Sequence, residues 1–236
     1  MQKGEISKNV RIVQYFLNID ADGIFGDNTE SAIKAWQELN QLPTTGIMNK
    51  DMMDSTIKPT IMEKELPHIK LANSLVGEAV ELDVDGDGSS DNRGLLVDEF
   101  IKVCFPSFDF DDKEKKGYAW CACFISWCME KTYTNFEFKS ALAREWITYA
   151  STRSDNNQIT DIKQLRRNNV YIGGWVKESG YGHVYFVDPF KSIVNSKQNK
   201  VVTIEGNTNV AGSREGDGIF MKGRDLNNTV LYGFEI

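Results

Sequence analysis

Apolar positions in the first fifty residues recur at helical spacing. Val10, Val13, Phe16 and Leu17 share one face, Ala32, Ile33, Trp36 and Leu39 share another, and Met48, Met52, Met53 and Ile57 predict a third, short helix. The turn Asp22-Gly23-Ile24-Phe25-Gly26 separates the first helix from the second, and Gly46 precedes the third. A small helical bundle is therefore expected over residues 1–58. Residues 59–67 hold Pro59 and Pro67 and no period, so they read as a linker to a second domain at 68–236. That domain opens with helical periods over Ile69–Val80, Leu95–Ile101, Trp120–Lys131 and Ser140–Ala150. From Val170 onward the pattern changes to strands, at Gly182–Asp188, Val201–Asn207, Phe220–Arg224 and Val230–Phe234. Helices followed by antiparallel strands predict the α+β class.

Charge adds one local feature. The net charge of −7 over 236 residues argues against nucleic acid or an anionic membrane as a partner. Between Glu81 and Lys115 there are eleven acids and four bases, so this window alone carries the whole excess. Within it, Asp83, Asp85 and Asp87 alternate ahead of Gly88, and Asp91 follows at the ninth position. Carboxylates so spaced converge on one hard cation, which makes these four the candidate ligands of a calcium ion; a solvated acidic turn is the alternative. The twelfth position, where such a loop takes a bidentate Glu, is Gly94, leaving Asp98 or Glu99 to reach back.

Met1-Gln2-Lys3-Gly4-Glu5 has no apolar core of a signal peptide, and no run is long enough to span a bilayer. Synthesis in the cytosol is expected, with the four cysteines between Cys104 and Cys128 reduced. Their Cys-x-Cys spacing and the presence of only two histidines do not suit zinc.

The chemistry centres on Trp120 to Cys128. Cys121, Phe124, Ile125 and Cys128 fall on one helical face, with Cys121 in the first turn, where unpaired N–H groups and the helix dipole favour a thiolate. The other reading is that all four cysteines are small core residues. A nucleophile needs a base and a group to orient that base. His68 adjoins Pro67 and reads as a surface or hinge residue, whereas His183 opens a strand beside Gly182. Glu205 and Asn207 end the next strand two residues apart, so both are expected on the face of the His183 ring, either able to hold its second nitrogen.

Two resemblances rest on these residues. Val13-Gln14, Leu17, Asp22-Gly23, Phe25-Gly26, Thr29, Ala32-Ile33, Trp36-Gln37, Leu42 and Gly46 together resemble the three-helix peptidoglycan-binding domain of cell-wall hydrolases, apart from a short spacer between Leu17 and Asp22. Gly117 through Trp127, Gly182-His183-Val184 and Thr203-Ile204-Glu205-Gly206-Asn207 resemble a CHAP domain, a papain-like cysteine amidase or peptidase fold that acts on peptidoglycan. Gly212 to Gly218 and Tyr232-Gly233-Phe234 fit its phage-type members, while Asn168 to Gly174 replaces the Pro-Gly-Asp turn usual before the histidine strand. The resemblance implies an endolysin in which Cys121 is nucleophile, His183 base, Glu205 orienter and Asn207 a supporting polar group. It also implies bacterial peptidoglycan as partner, calcium as a structural ion with no organic cofactor, action at the wall and a monomeric chain. The scissile bond is either the muramoyl-L-alanine amide or a peptide bond. A delivered antibacterial effector with the same chemistry and a wall-binding protein with an inactive catalytic fold are the alternatives.

Overall fold

The computed structural model describes residues 1–53, 65–79, 81–87, 89–112, 115–195, 199–208 and 218–236. Most of the expected linker lies outside them, as do Ile57 and the stretch 212–217. In the first unit, α1 (Lys8–Phe16), α2 (Asp27–Leu39) and the short α3 (Lys50–Met52) follow one another. Ser7 caps α1 by accepting from the Val10 amide, and Asn49 caps α3 by accepting from Met52. Two buried glutamines tie the turns to the helices. Gln14 accepts from the Gly23 amide and donates to the Ile24 carbonyl; Gln37 accepts from the Gly46 amide and donates to the Ile47 carbonyl. The unit is thus an internal near-repeat in which each helix holds the turn that follows it. Leu39, expected inward, is 83 % exposed, and Gln37 takes the buried position instead.

The second unit supplies α4 (Pro67–Ser74), α5 (Leu95–Cys104), α6 (Cys121–Thr132), α7 (Ala143–Arg153) and α8 (Pro189–Asn195). Its strands are β1 (Val170–Val176), β2 (Gly182–Asp188), β3 (Lys200–Thr208), β4 (Gly218–Asp225) and β5 (Val230–Phe234). They form one antiparallel sheet in the order β4-β3-β2-β1-β5, which confirms the α+β class. The segment 168–174 that departs from the family turn enters β1, where Ile172 pairs with Phe186 and Trp175 with His183. Helix α7 begins at Ala143 rather than Ser140, and α4 ends at Ser74 rather than near residue 80. Leu95 points outward on α5, leaving Val97, Phe100 and Ile101 as its buried face.

Both faces of the sheet are covered. Val184, Phe186 and Ile204 join α4, α5, α6 and α7 in one apolar cluster. Tyr171, Tyr185, Val187, Val201 and Leu231 join Ile193 of α8 and the core of the first unit, including Val10, Phe16 and Ile33, in another. Tyr15 of α1 packs its ring 5.9 Å from that of Phe190 on α8. The first unit and the sheet therefore share a core.

Candidate active site

Helix α6 starts at Cys121 itself. Trp120, fully buried, precedes it and donates its indole N–H to Glu81 Oε1 at 2.7 Å. Strand β3 comes close enough to seal this end only because residue 206 is glycine; a Cβ there would lie 2.6 Å from the Trp120 ring and 3.0 Å from Phe124. The helix is buried nearly all round, from Cys121 to Ser126 and again at Cys128 and Met129, rather than along a single face. Cys121 differs from its neighbours in bordering a cleft of about 500 Å³ that Trp175, Tyr181, His183, Asn207 and Arg224 also line.

His183 stands between the thiol and a carboxylate. Its Nε2 lies 3.1 Å from Glu205 Oε2, which leaves Nδ1 for the hydrogen bond with Cys121. Glu205 is wholly buried and fully engaged. Thr203 Oγ1 donates to Oε1 at 2.5 Å, and Arg224 donates from Nε to Oε1 at 2.7 Å and from Nη2 to Oε2 at 2.5 Å. Burial disfavours the charged carboxylate, but these donors, Arg224 foremost, hold its pKa down at about 2. Burial also opposes charge on His183, yet the bonds to Cys121 and Glu205 outweigh it and carry the ring up to about 9. The Cys121 thiol, raised by burial, is brought below the usual cysteine value by His183 and by the amides of Val184 and Ala122. Both shifts favour the thiolate–imidazolium form of the pair over the neutral one, and two groups so coupled titrate as a unit.

Asn207 is placed differently from Glu205. The register of β3 on β4 slips between Glu205 and Thr208, and Asn207 adopts a left-handed φ of 53°. The bulge breaks the alternation that would have set both side chains on the ring. Asn207 lines the cleft instead, with its buried Oδ1 unpartnered among the described residues. Arg224 and Thr203 complete the site and were not singled out from the sequence.

His68 is no surface residue. It is completely buried in α4, Nδ1 2.8 Å from the Tyr133 hydroxyl and its ring 4.9 Å from that of Phe186, and burial lowers its pKa to about 3. Cys123 and Cys128 are buried with thiols pushed up, the first by its bond with Cys104 and by burial, the second by burial.

Carboxylate oxygens of Asp83, Asp85 and Asp91 lie within 4.8 Å of one another, an all-oxygen donor set suited to a hard cation. Lys116 already places its ammonium there, 2.9 Å from Asp85, 3.2 Å from Asp87 and 2.6 Å from Asp91. Asp98 does not reach back; its carboxylate pairs with Arg93 at 2.9 and 3.1 Å. The Gly117 amide donates to the Asp91 carbonyl at 2.8 Å, joining this loop to the segment that leads into α6.

Comparison with known families gives two matches. Residues 9–55 match the model of a putative peptidoglycan binding domain, and residues 113–207 that of the CHAP domain. Neither a curated protein nor a solved structure matches the chain. The second match contains Cys121, His183, Glu205 and Asn207 and ends before Arg224; the acidic loop precedes it.

Proposed function

We propose that this chain, whose two matched domains give it an endolysin-like architecture within the peptidoglycan hydrolases, cleaves a wall amide bond with Cys121 as nucleophile. The observation that carries the reading is the hydrogen-bonded line Cys121–His183–Glu205 opening onto a cleft.

The thiolate of Cys121 attacks the amide carbonyl carbon, and charge develops on the carbonyl oxygen. The backbone N–H of Cys121, at the start of α6, helps to hold that charge. Collapse breaks the C–N bond while the His183 imidazolium gives its proton to the departing amine, leaving a thioester on Cys121. The neutral imidazole then takes a proton from water as that water attacks the thioester, releasing the acid and restoring the ion pair. Glu205, held by Arg224 and Thr203, fixes the ring orientation through Nε2. Asn207 contributes a polar wall to the cleft. The first unit holds the chain on the wall, with the cleft beside Trp36, Leu42, Ile47 and Met52 as its contact surface, so local substrate concentration is high even where the catalytic cleft binds weakly. Calcium, as a structural ion on Asp83, Asp85 and Asp91, would replace the Lys116 ammonium there.

Purified protein and its Cys121→Ala variant, incubated with isolated peptidoglycan and followed by mass spectrometry of the released fragments, test the reading. Peptides freed from glycan by the wild type alone mark an amidase; cuts within the stem or bridge mark an endopeptidase. Binding without cleavage by either protein supports the inactive wall-binding alternative.

A further inference from the structure

Outside the Cys121–His183 pair, the active-site cleft is lined by charge of one sign. Although the chain is acidic overall, the charged side chains that line the cleft among the described residues, apart from the Cys121–His183 pair, are Lys177 and Arg224, and no carboxylate is in that lining. Glu205 lies beneath, wholly buried and committed to His183, Thr203 and Arg224. Arg224 spends Nε and Nη2 on that carboxylate, so its third nitrogen, Nη1, has no hydrogen-bond partner among the described residues, and its side chain is one-third exposed. A guanidinium with one edge on a buried acid keeps two N–H donors for a second anion.

Lys177, which lines the same cleft, lies in the β1–β2 turn. Its amide donates to the Tyr181 carbonyl at 2.7 Å and its carbonyl accepts from Gly180 at 2.9 Å, closing a short loop. Its ammonium stands 5.6 Å from the centroid of the half-exposed Trp175 ring, and no carboxylate among the described residues pairs with it. Lys222, whose ammonium donates to Thr208 Oγ1 at 2.7 Å, adds a third cation close to the lining. Exposed Trp175 and Tyr181 give flat apolar walls on the same hairpin. Cations lining one cleft beside aromatic faces, with no carboxylate in the lining among the described residues, fit an anionic substrate rather than a neutral one.

We propose that Lys177 and the outward edge of Arg224 bind a free carboxylate near the scissile amide, so that the enzyme selects acidic peptide segments of the wall. The proposal rests on the hydrolase reading and adds two specificity-determining residues to it, one of them, Arg224, outside the stretch that matches the CHAP model.

Isolated peptidoglycan, either native or with its carboxylates converted to carboxamides, is the test substrate, and initial rates are measured for the wild type, Lys177→Met and Lys177→Glu. The wild type is expected to cleave the amidated wall about tenfold more slowly, the loss of one charge-assisted contact. Lys177→Met is expected to fall on native wall towards the amidated rate and to discriminate less than about threefold, and Lys177→Glu to prefer the amidated wall. Changes in wall capture by the first unit affect all three proteins alike, so the native-to-amidated ratio isolates the cleft. Equal rates of the wild type on both walls, or undiminished discrimination by Lys177→Met, overturn the proposal and leave the hydrolase reading standing. If the wild type cleaves neither wall, the hydrolase reading fails and the proposal with it.

Discussion

At the scale of single residues the site turns on how Glu205 divides its charge. Arg224 and His183 draw on the same buried carboxylate, so the guanidinium moderates the field that the imidazolium feels. Activity should persist up to the pH where His183 loses its proton, giving an alkaline limb near pH 9. The sign for Arg224→Gln follows from Coulomb's law: a cation is removed close to the imidazolium while Glu205 stays ionised, so the limb moves to higher pH. The rate should fall on the order of ten- to a hundredfold, because the carboxylate loses two of its orienting donors. A pH profile of initial rates for both proteins checks this, and a limb that stays put or moves down refutes it. Cys121, His183 and Glu205 were legible in the sequence because each sits in a short distinctive stretch and the order helix, strand, strand brings them together. Arg224 was not, since it lies nineteen positions beyond Glu205 and only the pairing of β4 on β3 returns it there. Asn207 was misplaced because strand alternation holds only while the register does.

At the scale of elements, polarity proved a poor guide to burial. His68 follows a proline, which suggested a hinge, yet Pro67 is the first residue of α4 and the histidine enters the core with it. A ring whose pKa is about 3 when folded and about 6.5 when unfolded binds its proton in the unfolded chain first. The contribution of His68 is therefore complete above pH 6.5 and is lost as the pH falls through this window, by about 1.4 kcal/mol per pH unit. Urea titrations between pH 6.5 and 5, above the carboxylate range, should show that slope in the wild type and not in His68→Gln. The acidic loop differs in that its own sequence named a cation and the fold answered with Lys116. Calcium must displace that ammonium, so Lys116→Met should bind calcium more tightly than the wild type by calorimetry, with a larger rise in melting temperature at equal calcium. The same heat trace in both proteins argues that the loop is only a lysine-bridged turn.

At the scale of the molecule, the core of the first unit runs on into one face of the sheet. The signal was present in β2. From His183 to Asp188 every residue is buried, and the run Val184-Tyr185-Phe186-Val187 is apolar at successive positions, the mark of a strand covered on both faces rather than one. The α6 helices' side accounts for Val184 and Phe186; α8 and the first unit account for Tyr185 and Val187. Coupling through such a layer makes the wall-binding unit part of the support of the catalytic sheet. Calorimetry should then show a single unfolding transition, and Ile33→Ala, a cavity of about 2–5 kcal/mol made in the first unit's core, should lower the temperature at which the Cys121 site loses activity as well as that of helix melting. Two transitions, with only the lower one moved by Ile33→Ala, would mean that the shared core adds little and that the first unit serves the enzyme solely as an anchor.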